Sequence, residues 1–391
     1  MLSERIKQLQ PSPTLALDSQ VKALQKAGTP VVNLSLGEPD ASTPEIIAKA
    51  GIQAIKDGFT HYTAVAGIPE LRLALARHLN TKHHSKYTAE QVVIGVGSKS
   101  LLYLTFQVLC NPGDEVLVAT PTWSTYLEQI KLAGGVPITI PLTTPFIFTA
   151  EECRKKITAK TKIILLNSPN NPTGAIIPTD ELARIATLAK EYNLLIVSDE
   201  IYDEIYYNSP APRSIISVDP SIADRTILIN GFSKAYAMTG WRIGYLAAPL
   251  PIAKAVGNLQ GQITSNTSSI SQKAALTAIQ DGNEAVKILK KTFSERRDFV
   301  AQELAKIPGL EFLLPDGAFY FFVSIQSLLN KNTPTATDWC TKLLEQEKVA
   351  VVPGEAFAAP GYFRLSFAAS MEDLQKGLEG IKRFVISSFK M

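Results

Sequence analysis

The chain is poor in the features that would mark several large classes of protein. It has three cysteines in 391 residues (Cys110, Cys153 and Cys340), widely separated. So few, odd in number and without metal-type spacing, they make neither a disulfide framework nor a zinc site. The four histidines, His61, His78, His83 and His84, show no metal spacing beyond one adjacent pair and are expected at the surface. No metal is expected. The segment from Met1 to Gly28 lacks the unbroken apolar stretch of a signal peptide, since Glu4, Arg5, Lys7, Gln8 and Gln10 break up its leucines. No run is long and apolar enough to span a bilayer. No block of like charge stands out: Arg154-Lys155-Lys156 sits among acidic neighbours, and net charge is only +3. Nucleic acid and membrane are therefore not expected as partners, and the expected compartment is the cytoplasm.

What is present is ordinary globular material: 46% apolar residues and 19% charged. The length suggests two or three domains. Short β-branched runs, apolar on both faces, recur through the middle of the chain. They are Gln91–Ile94, Glu115–Ala119, Lys162–Leu166, Leu194–Val197 and Thr226–Ile229. Such runs predict strands buried in a mostly parallel sheet. Helical patterns lie between them. One opens at Thr179-Asp180-Glu181, with Thr179 expected as its N-cap, and continues through Leu182, Ile185, Ala186 and Leu188. The alternation predicts an α/β large domain, a mostly parallel sheet flanked by helices. From about residue 285 the pattern changes. Strand-like Ala318–Val323 and Phe363–Phe367 are separated by helices near 337–348 and 371–384, which predicts a smaller α+β domain. The expected division is 1–45, an N-terminal segment packing with the small domain and a dimer partner; 46–284, the large domain; and 285–391, the small one.

In an open α/β sheet, ligands bind beyond the carboxyl ends of the strands. The residues that follow the five runs are chemically capable: Gly97-Ser98-Lys99, Trp123, Asn171, Asp199 with Tyr202, and Ser233-Lys234. The glycine-rich turn into the helix from Leu101 to Leu109 suits a phosphate, with Ser233 and Arg242 as further donors. Trp123 offers a stacking face, Asp199 a carboxylate and Lys234 an amine. A phosphorylated pyridine aldehyde needs this set: the amine links to the aldehyde, the carboxylate keeps the ring nitrogen protonated, and Tyr202 and Asn171 bond the phenolic oxygen.

Longer motifs run in a fixed order along nearly the whole chain. They are Asn33–Asp40 (NLSLGEPD), Tyr62–Arg72 (YTAVAGIPELR), Ser168–Gly174 (SPNNPTG), Ser198–Tyr202 (SDEIY), Asn230–Tyr245 (NGFSKAYAMTGWRIGY) and Phe363–Ser366 (FRLS). In these the chain resembles the class I (fold type I) aminotransferases, and in particular their bacterial and plastid-type aspartate aminotransferase branch. The resemblance implies a fold type I architecture and pyridoxal 5'-phosphate as cofactor. It implies that Lys234 is the covalent lysine and proton carrier, Asp199 the ring-nitrogen partner, Tyr202 and Asn171 the phenolic-oxygen pair, and Trp123 the stacking ring. Gly97, Ser98, Lys99, Ser233 and Arg242 fall at phosphate positions. Tyr62 resembles the tyrosine that reaches a neighbouring subunit's phosphate, which implies a homodimer with shared sites. Arg364 resembles the clamp for a substrate α-carboxylate, beside Asn171, Trp123 and the Gly37 backbone.

Some positions depart from the branch. Gly97-Ser98-Lys99 replaces a Gly-Gly-Lys, and Phe232-Ser233 replaces small residues, so Ser98 and Ser233 are each expected to add a phosphate donor. No arginine near Ser265–Ser269 stands ready for a second substrate carboxylate; Lys99 and Ser12 or Thr14 are the expected substitutes. The resemblance implies ping-pong transamination of L-aspartate and L-glutamate with 2-oxo acids. Prephenate, aromatic and alanine transaminases and a β-lyase share the motifs. A P-loop enzyme fails on spacing, because the first glycine of Gly95–Ser100 stands too close to its lysine. The bland alternatives are a helix N-cap for Asp199, a structural salt bridge for Arg364 and a solvated helix-start lysine for Lys99.

Overall fold

The computed structural model describes all residues except 1, 8, 12, 209 and 389–391. Its centre is a seven-stranded sheet in the order Val92–Gly95, Gly244–Ala247, Thr226–Gly231, Leu195–Asp199, Thr161–Asn167, Glu115–Thr120, Val136–Pro141. Gly244–Ala247 runs antiparallel to both its neighbours, and every other pairing is parallel. The five sequence-expected strands are all here, each within two residues of its expected bounds. Two strands were not foreseen. Val136–Pro141 is an edge strand with an exposed, proline-interrupted face, and Gly244–Ala247 contains only four residues. The first lacks the doubly apolar pattern of a central strand, and the second, though buried on both faces, offers only four residues, Gly and Ala among them.

Helices cover the sheet on both faces. Ile94, Ile164, Ile196 and Leu228 point to one apolar core, while Val93, Ile163, Val197, Ile227 and Ile229 point to the other. The alternation follows from the period of two along each strand. Helix Thr179–Glu191 starts one residue earlier than expected: Pro178 rather than Thr179 occupies the N-cap, and no side chain caps the helix. Proline's extended ψ of 148° there breaks the preceding chain without a hydroxyl.

A second, four-stranded sheet is antiparallel throughout, ordered Val352–Pro353, Tyr362–Ser366, Tyr320–Ser324, Glu311–Phe312. Helices Asn283–Leu304, Ala336–Glu347 and Met371–Ser388 accompany it. Its core holds Phe293, Phe319, Phe321, Phe363, Phe367 and Trp339. The N-terminal part joins this layer: Val32–Asn33 pairs in parallel with Val349–Ala350, and Val21 of helix Pro13–Lys26 packs with Leu344. The three cysteines are free and buried. His83 corrects the expectation of four surface histidines. It is buried, with Nδ1 3.0 Å from Ser217 Oγ, because it lies on the inward face of helix Pro69–His83. No helix among the described residues is long and apolar enough to cross a membrane.

Trp339 ties this layer to the strand that carries Arg364. Its ring stacks on Phe363 at 5.2 Å between centroids and meets Phe384 edge-on at 5.1 Å. Trp339→Ala empties a fully buried site and is expected to cost about 3–5 kcal/mol of folding stability. Urea unfolding should show a lower midpoint with an unchanged slope.

Candidate active site

The carboxyl ends of the parallel strands open into a cavity of 370 Å³, closed on its far side by the small sheet and the N-terminal helix. Its lining includes Ser35, Gly37, Ser98, Lys99, Trp123, Asn171, Asp199, Tyr202, Ser233, Lys234, Arg242 and Arg364. Eleven of the fourteen residues singled out from sequence therefore meet in one place. Gly97 sits just behind the wall. Tyr62 lies elsewhere and is 90% exposed in the single chain. Ser12 falls outside the described residues, but its neighbour Thr14 lines the cavity.

Asp199 is the last residue of its strand and is 2% exposed. Its Oδ2 accepts from the Tyr126 hydroxyl at 2.7 Å and its Oδ1 from the Ile201 N–H at 3.2 Å. Burial pushes the carboxyl up to about 6, against the pull of those two donors. No ion pair to Asp199 occurs among the described residues. The helix N-cap reading does not fit either, since Glu200 and a four-residue turn at 201–204 follow, and no helix begins before Ile215.

Lys234 stands at the end of the next strand, its Nζ donating to the Gly37 carbonyl at 2.5 Å. Burial lowers its ammonium to about 8, with Arg364 and Arg242 adding repulsion and Glu38 opposing. It is therefore an amine that loses its proton near neutrality, which nucleophilic and proton-transfer roles require.

Arg364 is 3% exposed. One guanidinium nitrogen donates to Asn171 Oδ1 at 2.9 Å and another to the Ser35 carbonyl at 2.7 Å, while Nε has no partner. The Tyr320 and Phe357 rings lie 4.3 and 5.0 Å away. No carboxylate pairs with Arg364 among the described residues, so the structural salt bridge is not what holds it. A buried guanidinium supported by neutral acceptors and ring faces retains its charge for an anionic ligand.

The phosphate end is built where helix Gly97–Leu109 begins. Gly97 adopts φ +76, a conformation that favours glycine, and an added Cβ would stand 2.8 Å from an Arg242 nitrogen. Arg242 itself takes φ +52, with Nη1 donating to the Thr239 carbonyl at 2.9 Å. The helix start and this guanidinium are thus pressed together beside free backbone N–H groups. The expected phosphate role of the Ser98 hydroxyl is corrected: it donates to the Asn230 carbonyl at 2.9 Å, which leaves only its backbone N–H for an anion. Ser233 does line the cavity. Lys99 is half-buried. Its ammonium sits 4.8 Å from the centre of the Trp123 ring and is shifted downward by burial.

Tyr126 and Tyr320 were missed in the sequence. Tyr126 packs edge-on to Trp123 at 5.3 Å while bonding Asp199; Tyr320 meets the Tyr202 hydroxyl at 2.8 Å. Their signal was positional. Tyr126 falls one helical turn after Trp123. Phe322 of Tyr320's strand pairs with Arg364, which puts Tyr320 on the same face as the arginine.

The residues present fit pyridoxal 5'-phosphate. A buried carboxylate without a cation suits a protonated ring nitrogen, and the glycine–arginine cradle suits a phosphate. No group of His, Cys, Asp and Glu among the described residues could hold a metal ion.

Comparison with known proteins agrees. The family model for "Aminotransferase class I and II" matches residues 29–381. An aspartate aminotransferase of Bacillus sp. (strain YM-2) is 40% identical over 388 residues, 98% of this chain and 99% of that one. A probable aspartate/prephenate aminotransferase of Aquifex aeolicus is 41% identical, with 98% of each chain covered. The solved aspartate aminotransferase of Thermus thermophilus with maleate superposes with a TM-score of 0.94 at 38% identity, covering 98% of this chain and 99% of that chain.

The lowered basicity of Lys234 is measurable. Cofactor-free protein should capture an added aldehyde at a rate that rises with pH to half its maximum near 8, because the neutral amine reacts. Stopped-flow absorbance checks this, and a midpoint near that of an ordinary lysine would contradict it.

Proposed function

The chain belongs to the class I and II aminotransferases, whose cofactor is pyridoxal 5'-phosphate, and from that premise we propose that it exchanges amino groups between L-aspartate or L-glutamate and 2-oxo acids by a ping-pong mechanism. In one direction aspartate and 2-oxoglutarate give oxaloacetate and glutamate. The observation that carries this reading is the convergence of a deprotonatable Lys234, a buried Asp199 and an unpaired Arg364 on one cavity. The names of the relatives support aspartate as the amino donor. A second reading, prephenate as acceptor, is favoured by the aspartate/prephenate enzyme among them.

When bound, the cofactor supplies an aldehyde that links to an amine and a ring that accepts an electron pair. Arg364 would grip the substrate α-carboxylate in a fork, with Asn171 holding the guanidinium in place. The Lys234 amine, which loses its proton near pH 8, would be the group that takes the proton from the substrate Cα and gives it back during transfer. Asp199 would hold a proton at the ring nitrogen, and Tyr126 fixes that carboxylate's orientation. Tyr202 and Asn171 would serve the phenolic oxygen. Trp123 would stack on the ring, and Arg242, Ser233 and the start of helix Gly97–Leu109 would hold the phosphate. Lys99 would meet a second substrate carboxylate.

We further propose a homodimer in the cytoplasm, with Tyr62 completing the partner's phosphate site. The exposure of Tyr62, and of Ile46, Ile52 and Ile55 on helix Glu45–Lys56, supports an interface there. Residues 46–284 would form the cofactor-binding domain and 285–391 the small domain, with 1–45 spanning both the small domain and the dimer.

Initial rates with aspartate and 2-oxoglutarate varied together should give parallel double-reciprocal lines. Lys234→Ala should lose at least about 10²–10⁴-fold in kcat, the share of a general base alone. Intersecting lines, or rapid turnover by the variant, would overturn the mechanism.

A further inference from the structure

Four cations line the cavity: Lys99, Lys234, Arg242 and Arg364. In the transaminase reading, on which this inference rests, three of them serve the cofactor and the α-carboxylate. Lys99 is the one left for the far end of the substrate. Three carboxylates line the same cavity, Asp199, Glu38 and Asp18. Asp199 belongs to the cofactor ring. Glu38 accepts from the Thr239 hydroxyl at 2.6 Å. Asp18 has no such assignment.

Asp18 lies on helix Pro13–Lys26, one turn after Thr14, so the two present the same face to the cavity. Its Oδ2 pairs with Lys22 Nζ at 2.7 Å, within one helix, and the Lys22 side chain is 70% exposed. Its Oδ1 is shut off from solvent and has no hydrogen-bond partner. A carboxylate with one oxygen unserved carries its negative potential toward whatever fills the space it lines. An exposed lysine, screened by water, neutralises that potential only in part.

We propose that Asp18 is a specificity residue that opposes the second carboxylate of a dicarboxylic substrate, working against the attraction of Lys99. Lys99 draws a far carboxylate in and Asp18 weakens its hold. The cavity is thereby held back from tight dicarboxylate binding and stays open to substrates whose far end is neutral or bears a hydrogen-bond donor. Specificity set by a repulsive group alongside an attractive one is a general device. Two unit charges about 10 Å apart at an effective dielectric of about 20 change an equilibrium roughly ten-fold. Lys22 moderates the effect by holding the other oxygen.

The test uses the cofactor-loaded protein and two ligands of equal chain length, succinate and butyrate, which differ in the far carboxylate. Isothermal titration calorimetry gives the dissociation constant of each, and their ratio cancels differences in active fraction. Asp18→Asn keeps shape and removes charge, and should raise the preference for succinate about ten-fold. Lys22→Ala leaves Asp18 uncompensated and should lower that preference. A ratio in Asp18→Asn within two-fold of the unsubstituted protein, or a shift toward butyrate, overturns the proposal, as does Lys22→Ala moving in the same direction as Asp18→Asn. Failure of the transaminase reading looks different: no amino acid would convert the bound cofactor, whatever the two anions do.

Discussion

Charge held out of water without a counter-charge is the constraint on which the structure turns. Asp199 and Arg364 are buried and Lys234 is largely so, and none has an ion-pair partner among the described residues. Removing an isolated ion from water is among the costliest things a fold can do. Each is kept charged, or close to it, by neutral dipoles: a tyrosine hydroxyl and a backbone N–H for Asp199, a backbone carbonyl for Lys234, an amide, a carbonyl and two aromatic faces for Arg364. These supports hold the charges without consuming them. The cavity is left with unmet electrostatic demand, and a zwitterionic substrate on a phosphorylated, protonated ring supplies the matching charges.

The fold explains how such a site is afforded. Two apolar cores sandwich the large sheet, and an aromatic core backs the small one. The charged groups sit only where these cores meet. Asp199 and Lys234 come from adjacent parallel strands, Arg364 from the small sheet, and Ser35 and Gly37 from the segment that follows the pairing of Val32–Asn33 with Val349–Ala350. The two sheets and the N-terminal segment therefore share one set of hydrogen bonds. A shift of either layer would change the grip on Arg364 and the surroundings of Lys234 together.

Much of this was legible in the residues. Doubly apolar runs located the central strands, because burial on both faces leaves little choice of residue. The polar residues just past those runs located the rim, because parallel strands end on one side. Less legible was whatever depended on partners distant in sequence. Tyr126 and Tyr320 read as ordinary aromatics until the fold brings them to Asp199, Tyr202 and Arg364. Ser98 looked like a phosphate donor until the strand beside it offered the Asn230 carbonyl. His83 looked exposed until helix Pro69–His83 turned it inward. The edge strand Val136–Pro141 lacks the doubly apolar pattern of its neighbours, and Gly244–Ala247 is too short to show one.

On the proposed reading, Lys234 and Asp199 equip this cavity for amino-group transfer on pyridoxal 5'-phosphate. The most direct measurement is the absorption spectrum of the purified protein before and after L-aspartate is added without a keto acid. A visible cofactor band should give way to a near-ultraviolet band as the amino group is taken up. Absence of any visible band, even after pyridoxal phosphate is supplied, would contradict that reading.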